Sequence, residues 1–595
     1  MTSSSTFLTI GKALNHCSFR DSNAVATQFK SNGQWITKSW QEYYNEIKYF
    51  AHFLCDLDLK AGDRVAVISN TRYEWAITDF ACLGAQFVVV PVYANNTLQD
   101  IQFILNNCQA KVVIVEDRNT WSQIKTIQEN CPELKTLISF TKIFEDASVV
   151  FFQDAILKGE KLHQQKENLF FERCQNILPQ DTATILYTSG TTGQPKGVVL
   201  THEQIISEVS EAFPLCGATE KDTSLSFLPY AHVLGRIELW GHMYIGYTLA
   251  FAENLEKLRD NLQEVKPTFL ISVPRIFEKV YTTILSQAEA NPIKSKLFHW
   301  ALKIGMKVGD KKLSHQILPL DLLAEYEVAN RLVLSKIRMA FGGRLRFAIS
   351  GGAPLSREIA LFFHACGVLI LEGYGLTETT AAICVNTPFN YRFGSVGRPI
   401  GDVQIKIAED GEILVKSKKV MKEYYQNPEA TAQVLQEGWF ATGDIGEFLI
   451  GGDLKITDRK KDLIKTAGGK YVAPQKIEAL IKLHPLVAYA HIHGDQKKYV
   501  VAVLSLDKVH VQNFAREQNL PTNDWESLLQ SAPVQDQVRK IIAEVNKSLA
   551  SYESIKKFYV TSDEFTVATG ELTPSLKLKR RFLDHKYQKQ IEEMY

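Results

Sequence analysis

The sequence contains no C-x-x-C pair, although nine cysteines are scattered through its 595 residues. Closely spaced thiolates are what a structural zinc site or a dithiol redox centre requires, so both readings lose their support. The odd number of cysteines also speaks against a disulfide framework and for a reducing compartment. No uninterrupted apolar run reaches the roughly 20 residues that span a bilayer. The opening stretch, MTSSSTFLTIGKALNHCSF, has no long apolar segment and does not read as a secretory signal, so the expected location is cytoplasmic. Neither sign of charge dominates: the formal net charge is +1. That excludes the broad basic field a dedicated nucleic-acid binder needs, and no nucleic-acid partner is expected. Internal repeats and low-complexity tracts are missing as well. So is the NTPase P-loop pattern G-x-x-x-x-G-K-[ST]. Gly11-Lys12 and Gly469-Lys470 have no glycine five places back, and Lys196 precedes Gly197 where that pattern has lysine after glycine.

What is present is the material of a large enzyme. Hydrophobic residues make up 45% and charged residues 22%, ample for more than one core. Short β-branched runs at 65–68, 87–92, 111–117, 184–187, 268–273, 345–350 and 368–371 alternate with helical stretches such as 75–83. This alternation predicts an α/β fold, a large N-terminal domain of parallel sheets flanked by helices. The rhythm breaks at about 285–340, a lysine-rich helical insert. From about 390 to 459 short polar-flanked strands with turn signals such as Glu409-Asp410-Gly411 predict a β subdomain. A smaller α+β unit, with a helix near 474–483 followed by strands, is expected over 460–595. The domain expectation is therefore 1–459 and 460–595.

The stretch ILYTSGTTGQPKGVVLTH (185–202) is dressed to hold phosphate. Thr188, Ser189, Gly190, Thr191, Thr192 and Gly193 offer hydroxyls and unshielded backbone N–H groups, and Lys196 adds a point charge. Behind the loop, Thr201-His202-Glu203-Gln204 fits a capping box, and the helix it opens carries Ile205, Ile206, Val209 and Phe213 on one face. A surface turn rich in glycine and threonine is the plainer reading of such a loop, but its length and composition favour an anion site.

Other stretches add pieces that would each pass for a turn if found alone. In LEGYGLTETT (371–380), Glu372, Gly373, Tyr374 and Gly375 would let an aromatic ring lie against a flat base, and Thr377 and Glu378 set a hydroxyl beside a carboxylate. A carboxylate next to a polyphosphate needs an intervening cation, and a hard oxygen-loving ion such as Mg²⁺ suits it. SGGAPLS (350–356) brings Gly351, Gly352 and Ala353, a turn fit for close approach of a planar base. GWFATGDIG (438–446) carries Asp444, suited to accept ribose hydroxyls, although turn aspartates commonly bond their own backbone. ITDRKKDLIKTAGGKYVAPQKIE (456–478) has five basic residues before Tyr471, usually a solvated face. Arg459 follows a strand-like run and could bind ribose or phosphate. Near the C-terminus, Thr573-Pro574-Ser575-Leu576-Lys577 suggests a fixed turn presenting Lys577.

In this order, YTSGTTGQPKG, GYGLTET, TGD, DRKKDLIKTAGG and TPSLKLKR resemble the adenylate-forming superfamily of acyl-CoA synthetases, peptide adenylation domains and luciferases. The resemblance runs from the strands near residue 64 to Lys577. VPRIFEKVY (273–281), the insert after it, LPYAHVLGR (228–236) and GGKYVAPQKIE resemble its long-chain fatty acid–CoA ligase branch. The resemblance implies ATP, Mg²⁺ and coenzyme A, with a fatty acid activated to acyl-AMP and then acyl-CoA. By motif position, Thr188 and Glu378 would hold Mg²⁺, and Lys196 with the loop 189–193 the pyrophosphate part. Gly351, Gly352 and Tyr374 would frame adenine, Thr377 would touch the α-phosphate, and Asp444 and Arg459 would bind ribose. Lys577 would bridge carboxylate and α-phosphate, with His232 beside the acyl carboxylate. The small domain would be mobile about a hinge at Lys461 and bring Gly468 and Gly469 to the pantetheine. Two positions depart from the pattern. Leu576 stands where many relatives have glycine, and Arg236 where some have a tryptophan that gates the acyl tunnel. A medium-chain or aryl acid ligase, a carrier-protein synthetase, and a non-catalytic acyl- or nucleotide-binding protein are the alternatives.

In the insert, Leu297, Trp300, Ala301, Ile304 and Val308 share a helical face, with Lys296, Lys303 and Lys307 on another. That pattern fits an ordinary core-facing helix. It also fits peripheral docking on an anionic membrane, at the inner membrane face. Acyl chain length and oligomeric state have no motif.

Overall fold

The computed structural model describes residues 7–188, 194–573 and 575–595. An eight-stranded sheet forms the centre. Its order runs Glu423–Tyr424, Lys196–Thr201, Thr182–Thr188, Val88–Val92, Arg64–Ile68, Val112–Val115, Thr136–Ser139 and Val150–Phe151. From Thr182–Thr188 to the last strand every pairing is parallel, whereas Lys196–Thr201 returns antiparallel on Thr182–Thr188. Helices cover both faces, and alternate residues of one strand enter different cores. Val65 and Val67 join one, Ala66 and Ile68 the other. A strand buried on both sides needs a continuous β-branched run, which is why these strands were readable as uninterrupted apolar stretches.

A second sheet places Phe269–Ser272, Phe347–Ser350 and Ile370–Leu376 in parallel, then adds Ala381–Val385 and Arg398–Pro399 antiparallel. Helix His202–Leu215 starts as its sequence requires. The Thr201 hydroxyl accepts the Gln204 N–H, the Gln204 side-chain oxygen accepts the Thr201 N–H in return, and Ile205, Ile206, Val209 and Phe213 are all buried. A four-stranded sheet of Thr223–Ser226, Thr248–Phe251, Val25–Ser31 and Gln34–Ser39 completes the large core.

Beyond residue 400 the sheet is antiparallel: Gln404–Ile407, Glu412–Lys416 and Trp439–Phe448, with Leu454–Arg459 paired to the last. Gly411 sits at φ +85°, the left-handed conformation that this tight Asp-Gly turn demands. From Ile464 on, the chain packs around its own cores. Its central strand, Val500–Leu506, sends Val500, Ala502, Leu504 and Leu506 to one of them and Val501 and Val503 to the other. That strand is therefore buried on both faces.

The insert forms helices Pro274–Glu289, Pro292–Leu313 and Leu320–Ala329, with a π-helical stretch at Asn330–Leu334. On Pro292–Leu313 the buried stripe is Phe298, Ala301, Ile304, Gly305, Val308 and Gly309. Leu297 and Trp300 are each 37% exposed, so the apolar face predicted from sequence is rotated. Glycine decides this: a side chain at Gly305 would strike the Ala365 carbonyl oxygen, so this helix packs on Arg357–Ala365 through its glycines. Among the described residues no helix is long and apolar enough to cross a membrane. All nine cysteines are free, and every one but the partly exposed Cys55 is buried.

Candidate active site

A cleft of about 3520 Å³ opens between the C-terminal edges of the two large sheets and the part of the chain beyond Ile464. It is several times larger than the 300–1,000 Å³ of a typical single-ligand pocket, so it has room for more than one reactant.

Its floor is built by strand ends. Tyr374, on Ile370–Leu376, donates its hydroxyl to Asp444 Oδ2 at 2.8 Å, and the Arg459 Nε lies 3.2 Å from Asp444 Oδ1. Asp444 and Arg459 face each other across the strand pair Trp439–Phe448 and Leu454–Arg459. The Asp444 backbone N–H bonds Thr442 Oγ1 at 3.1 Å, while its carboxylate turns to Tyr374 and Arg459 and not to its own backbone. Burial pushes the Asp444 carboxyl up, and Arg459 and the Tyr374 hydroxyl oppose that. Each oxygen of Asp444 already has one partner and a spare lone pair. The same strand Ile370–Leu376 needs glycine at 375. A side chain there would run into the Ala381 carbonyl oxygen of the antiparallel neighbour. Gly352, at φ +79°, turns the chain after Phe347–Ser350 so that Gly351, Gly352 and Ala353 line the wall. Glu372 lies behind them. It accepts the Leu355 N–H at 3.1 Å, and burial pushes its carboxyl up to about 7.

A second group gathers at the mouth of the hairpin Thr182–Thr188 and Lys196–Thr201. Thr188 and Lys196 are paired across it, and both line the cleft. The Lys196 ammonium lies 5.1 Å from the ring centre of Tyr424. The Tyr424 hydroxyl in turn donates to Glu378 Oε1 at 2.8 Å. The Glu378 carbonyl also accepts the Met421 N–H at 2.7 Å, so backbone and side chain both tie the glutamate to the 419–425 segment. Thr377 opens the short turn carrying Glu378 and lines the same wall. Ser189, Gly190, Thr191, Thr192 and Gly193 lie outside the described residues. Glu378 and Thr188 both line the cleft, and their oxygen donors have the hard character Mg²⁺ prefers.

The third wall comes from beyond residue 464. Lys577 projects into the cleft within electrostatic reach of Arg459, Asp444, Glu378 and Asp462. Its side chain remains accessible to solvent. Crowding by the cleft walls, with Arg459 adding to it, brings its ammonium down to about 8. Burial, with Lys577 nearby, brings the His232 imidazole down to about 4. His232 Nδ1 accepts the Leu234 N–H at 3.1 Å, capping helix Val233–Ile245, so the neutral ring carries its proton on Nε2. Leu576 adopts φ +60°, the left-handed conformation glycine takes without strain.

Lys461 lines the cleft just past the last strand of the β subdomain, whereas Gly468 and Gly469 stand outside the cleft lining. They form the turn between Ile464–Lys465 and Tyr471–Val472, with Gly469 at φ +73°. Arg236 is not among the residues that line the cleft; it is fully buried between Trp75 and Trp240 and paired with Asp79 at 2.5 Å. It is a buried core residue. Sequence reasoning missed Tyr424, which lies in EYYQNPEAT with nothing but its own hydroxyl to mark it.

The profile of the AMP-binding enzyme family matches residues 16–425, and that of the AMP-binding enzyme C-terminal domain matches 461–595. The chain belongs to the AMP-binding enzyme family. Among curated relatives of this AMP-binding enzyme, the Mycobacterium bovis protein named long-chain-fatty-acid–CoA ligase FadD15 is 34% identical over 97% of this chain and 95% of its own length. The mouse protein named long-chain-fatty-acid–CoA ligase 5 is 31% identical, covering 94% of this chain and 84% of its own. The fold matches the crystal structure of the anthranilate CoA ligase AuaEII with anthranoyl-AMP at TM-score 0.73 and 18% identity, over 98% of both chains.

Proposed function

We propose that this AMP-binding enzyme joins a long-chain fatty acid to ATP, releasing pyrophosphate, and then transfers the acyl group to coenzyme A, releasing AMP. One observation carries the reading. Lys577 stands opposite the Tyr374–Asp444–Arg459 group and Glu378, in a cleft that also runs between Ile276, Val280, Ile284, Phe298, Val333 and Ile337. The polar groups suit a nucleotide, and the apolar wall suits an acyl chain. The full-length relatives named long-chain-fatty-acid–CoA ligases support the substrate class.

In the first half-reaction a carboxylate oxygen bonds to the α-phosphorus and the bond to pyrophosphate breaks. No general base is needed, because a fatty acid is ionised near pH 7. Two anions must meet, so charge compensation is the main demand. Lys577 supplies it between carboxylate and α-phosphate, and the His232 Nε2–H orients the carboxylate. Asp444 accepts the ribose hydroxyls, held in place by Tyr374 and Arg459. Glu378 and Thr188 would hold Mg²⁺, which neutralises phosphate charge when bound. Lys196 takes the departing pyrophosphate, and the ring of Tyr424 keeps it close to Glu378. In the second half-reaction the coenzyme A sulfur bonds to the acyl carbon and AMP leaves. Rotation about Lys461 withdraws Lys577 and brings Gly468 and Gly469 to the pantetheine.

Carboxylate-dependent ATP–pyrophosphate exchange, run from acetate to oleate without and then with coenzyme A, tests the reading. Exchange favouring long chains and thioester formation with coenzyme A support it. Exchange without use of coenzyme A points to a carrier protein, and absence of exchange removes the reading.

A peripheral membrane contact is a second element of the proposal. Ile293, Leu297 and Trp300 are exposed beside Lys294, Lys296 and Lys303, and Lys294 and Leu297 stand at the rim of the cleft. Flotation with anionic liposomes checks it, and failure to float removes it.

A further inference from the structure

Strand Val487–His493 carries histidines at 491 and 493. Residues two apart on a strand share a face, so both imidazoles project to the same side. Helix Arg580–Lys586 packs over that side and places Asp584 between them. His491 Nε2 lies 2.8 Å and His493 Nδ1 2.7 Å from the same oxygen, Asp584 Oδ1. The three donor atoms all fall within 4.8 Å of one another. Side-chain exposure rises across the group, from 1% at His491 through 20% at His493 to 38% at Asp584. The cluster is thus closed on its inner side and open on the other, and all three residues line the interdomain cleft. The reaction proposed above uses none of them.

We propose that His491, His493 and Asp584 form a binding site for a zinc-class divalent metal, with a free coordination position facing the cleft. Two imidazole nitrogens and one carboxylate oxygen are the donor set of three-ligand zinc sites that retain an open fourth position. Mg²⁺ favours oxygen donors and octahedral water-rich coordination, so the Mg²⁺ that accompanies ATP does not compete effectively here. The metal would tie strand Val487–His493 to helix Arg580–Lys586. That helix is already anchored by Arg580, whose guanidinium bonds both oxygens of Glu478 at 2.7 Å. Asp584 lies seven residues beyond Lys577, on the helix into which the Lys577 turn leads. The ion therefore stiffens the support behind Lys577.

Cobalt(II) titration of the metal-stripped full-length enzyme, in millimolar Mg²⁺, is the test. The expected result is one equivalent of Co²⁺ bound, with the intense visible absorption of a four- or five-coordinate ion, and its loss on adding one equivalent of Zn²⁺. His493→Ala and, separately, Asp584→Asn should each weaken binding at least roughly 10-fold. Their circular dichroism should match that of the parent. Asp584→Asn keeps the side-chain volume and the amide can still accept a hydrogen bond, so it separates loss of a ligand from loss of the fold. Absence of a stoichiometric Co²⁺ spectrum in the parent overturns the proposal and leaves two imidazole N–H groups bonded to a carboxylate. An equally strong spectrum in both variants places the metal elsewhere and overturns it too.

Discussion

Arg236 and Lys577 are two cations in one molecule with opposite surroundings. Arg236 has no exposed surface. Its guanidinium bonds Asp79 and, at 3.0 Å, Thr184 Oγ1, while Trp240 donates to the other Asp79 oxygen at 3.0 Å. Tryptophan rings at 4.7 and 5.4 Å cover it. Lys577 reaches into a wide cleft, is open to solvent, and makes no carboxylate ion pair among the described residues. A charge removed from water must be paired to be tolerated. A charge intended for a substrate must stay unpaired until the substrate arrives. Solvent access makes that affordable, while crowding by the cleft walls, with Arg459 adding to it, keeps its proton weakly held.

Removing Arg236 should have the largest effect, and on folding more than on chemistry. Arg236→Leu leaves Asp79 buried without its counter-ion, a loss of about 3–5 kcal/mol. Thermal unfolding should show a marked drop, largely recovered in Arg236→Leu/Asp79→Leu. Equal stability of parent and single variant would erase the contrast. Lys577→Ala should do the reverse. Pyrophosphate exchange should fall roughly 10²–10³-fold with the unfolding temperature unchanged, while thioester formation from supplied acyl-adenylate is spared. Equal loss of both half-reactions would deny Lys577 its separate role. Tyr424→Phe removes the hydroxyl that holds Glu378 and keeps the ring beside Lys196. A hydrogen bond to a charged group is worth about 1.5–3 kcal/mol, so exchange should fall about 10-fold or more and need more Mg²⁺ for half-saturation. A fall without change in Mg²⁺ dependence would place Tyr424 elsewhere in the mechanism. The smallest effect concerns pH. In the proposed reaction protonated Lys577 is the active form, and the cleft walls bring its ammonium down to about 8. For exchange, kcat/KM should therefore decline as pH rises through that value. Bound ATP, being anionic, holds the proton more tightly, so kcat should decline only at higher pH. Coincident profiles would contradict this. His232, at about 4, stays neutral throughout and adds no limb above pH 5.

The central strands were legible because a strand covered on both faces must be apolar at every position, and runs such as 65–68 and 87–92 satisfy this by themselves. The capping box at Thr201 and Gln204 is equally local, since both partners lie within one helical turn. Of the insert-helix face read from sequence, Ala301, Ile304 and Val308 are buried, whereas Leu297 and Trp300 are partly exposed. Hydrophobicity marks what is apolar, but the close approach on Arg357–Ala365 is governed by Gly305 and Gly309, which no apolar pattern highlights. Tyr424, and the buried pairing of Arg236, escaped for a related reason. Tyr424 acts through Glu378, 46 residues away, and Arg236 through Asp79, 157 residues away.

By itself the sequence determined the alternation of strand and helix, the glycine turns and the order of the motifs, because periodicity, φ preference and local hydrogen bonds act within a few residues. Tertiary structure alone decided which of the many cations became a core pair and which was left facing the cleft. It also decided that His491, His493 and Asp584 converge on one point. Pairing, burial and convergence depend on distances between segments far apart along the chain, and those distances exist only once the sheets have packed.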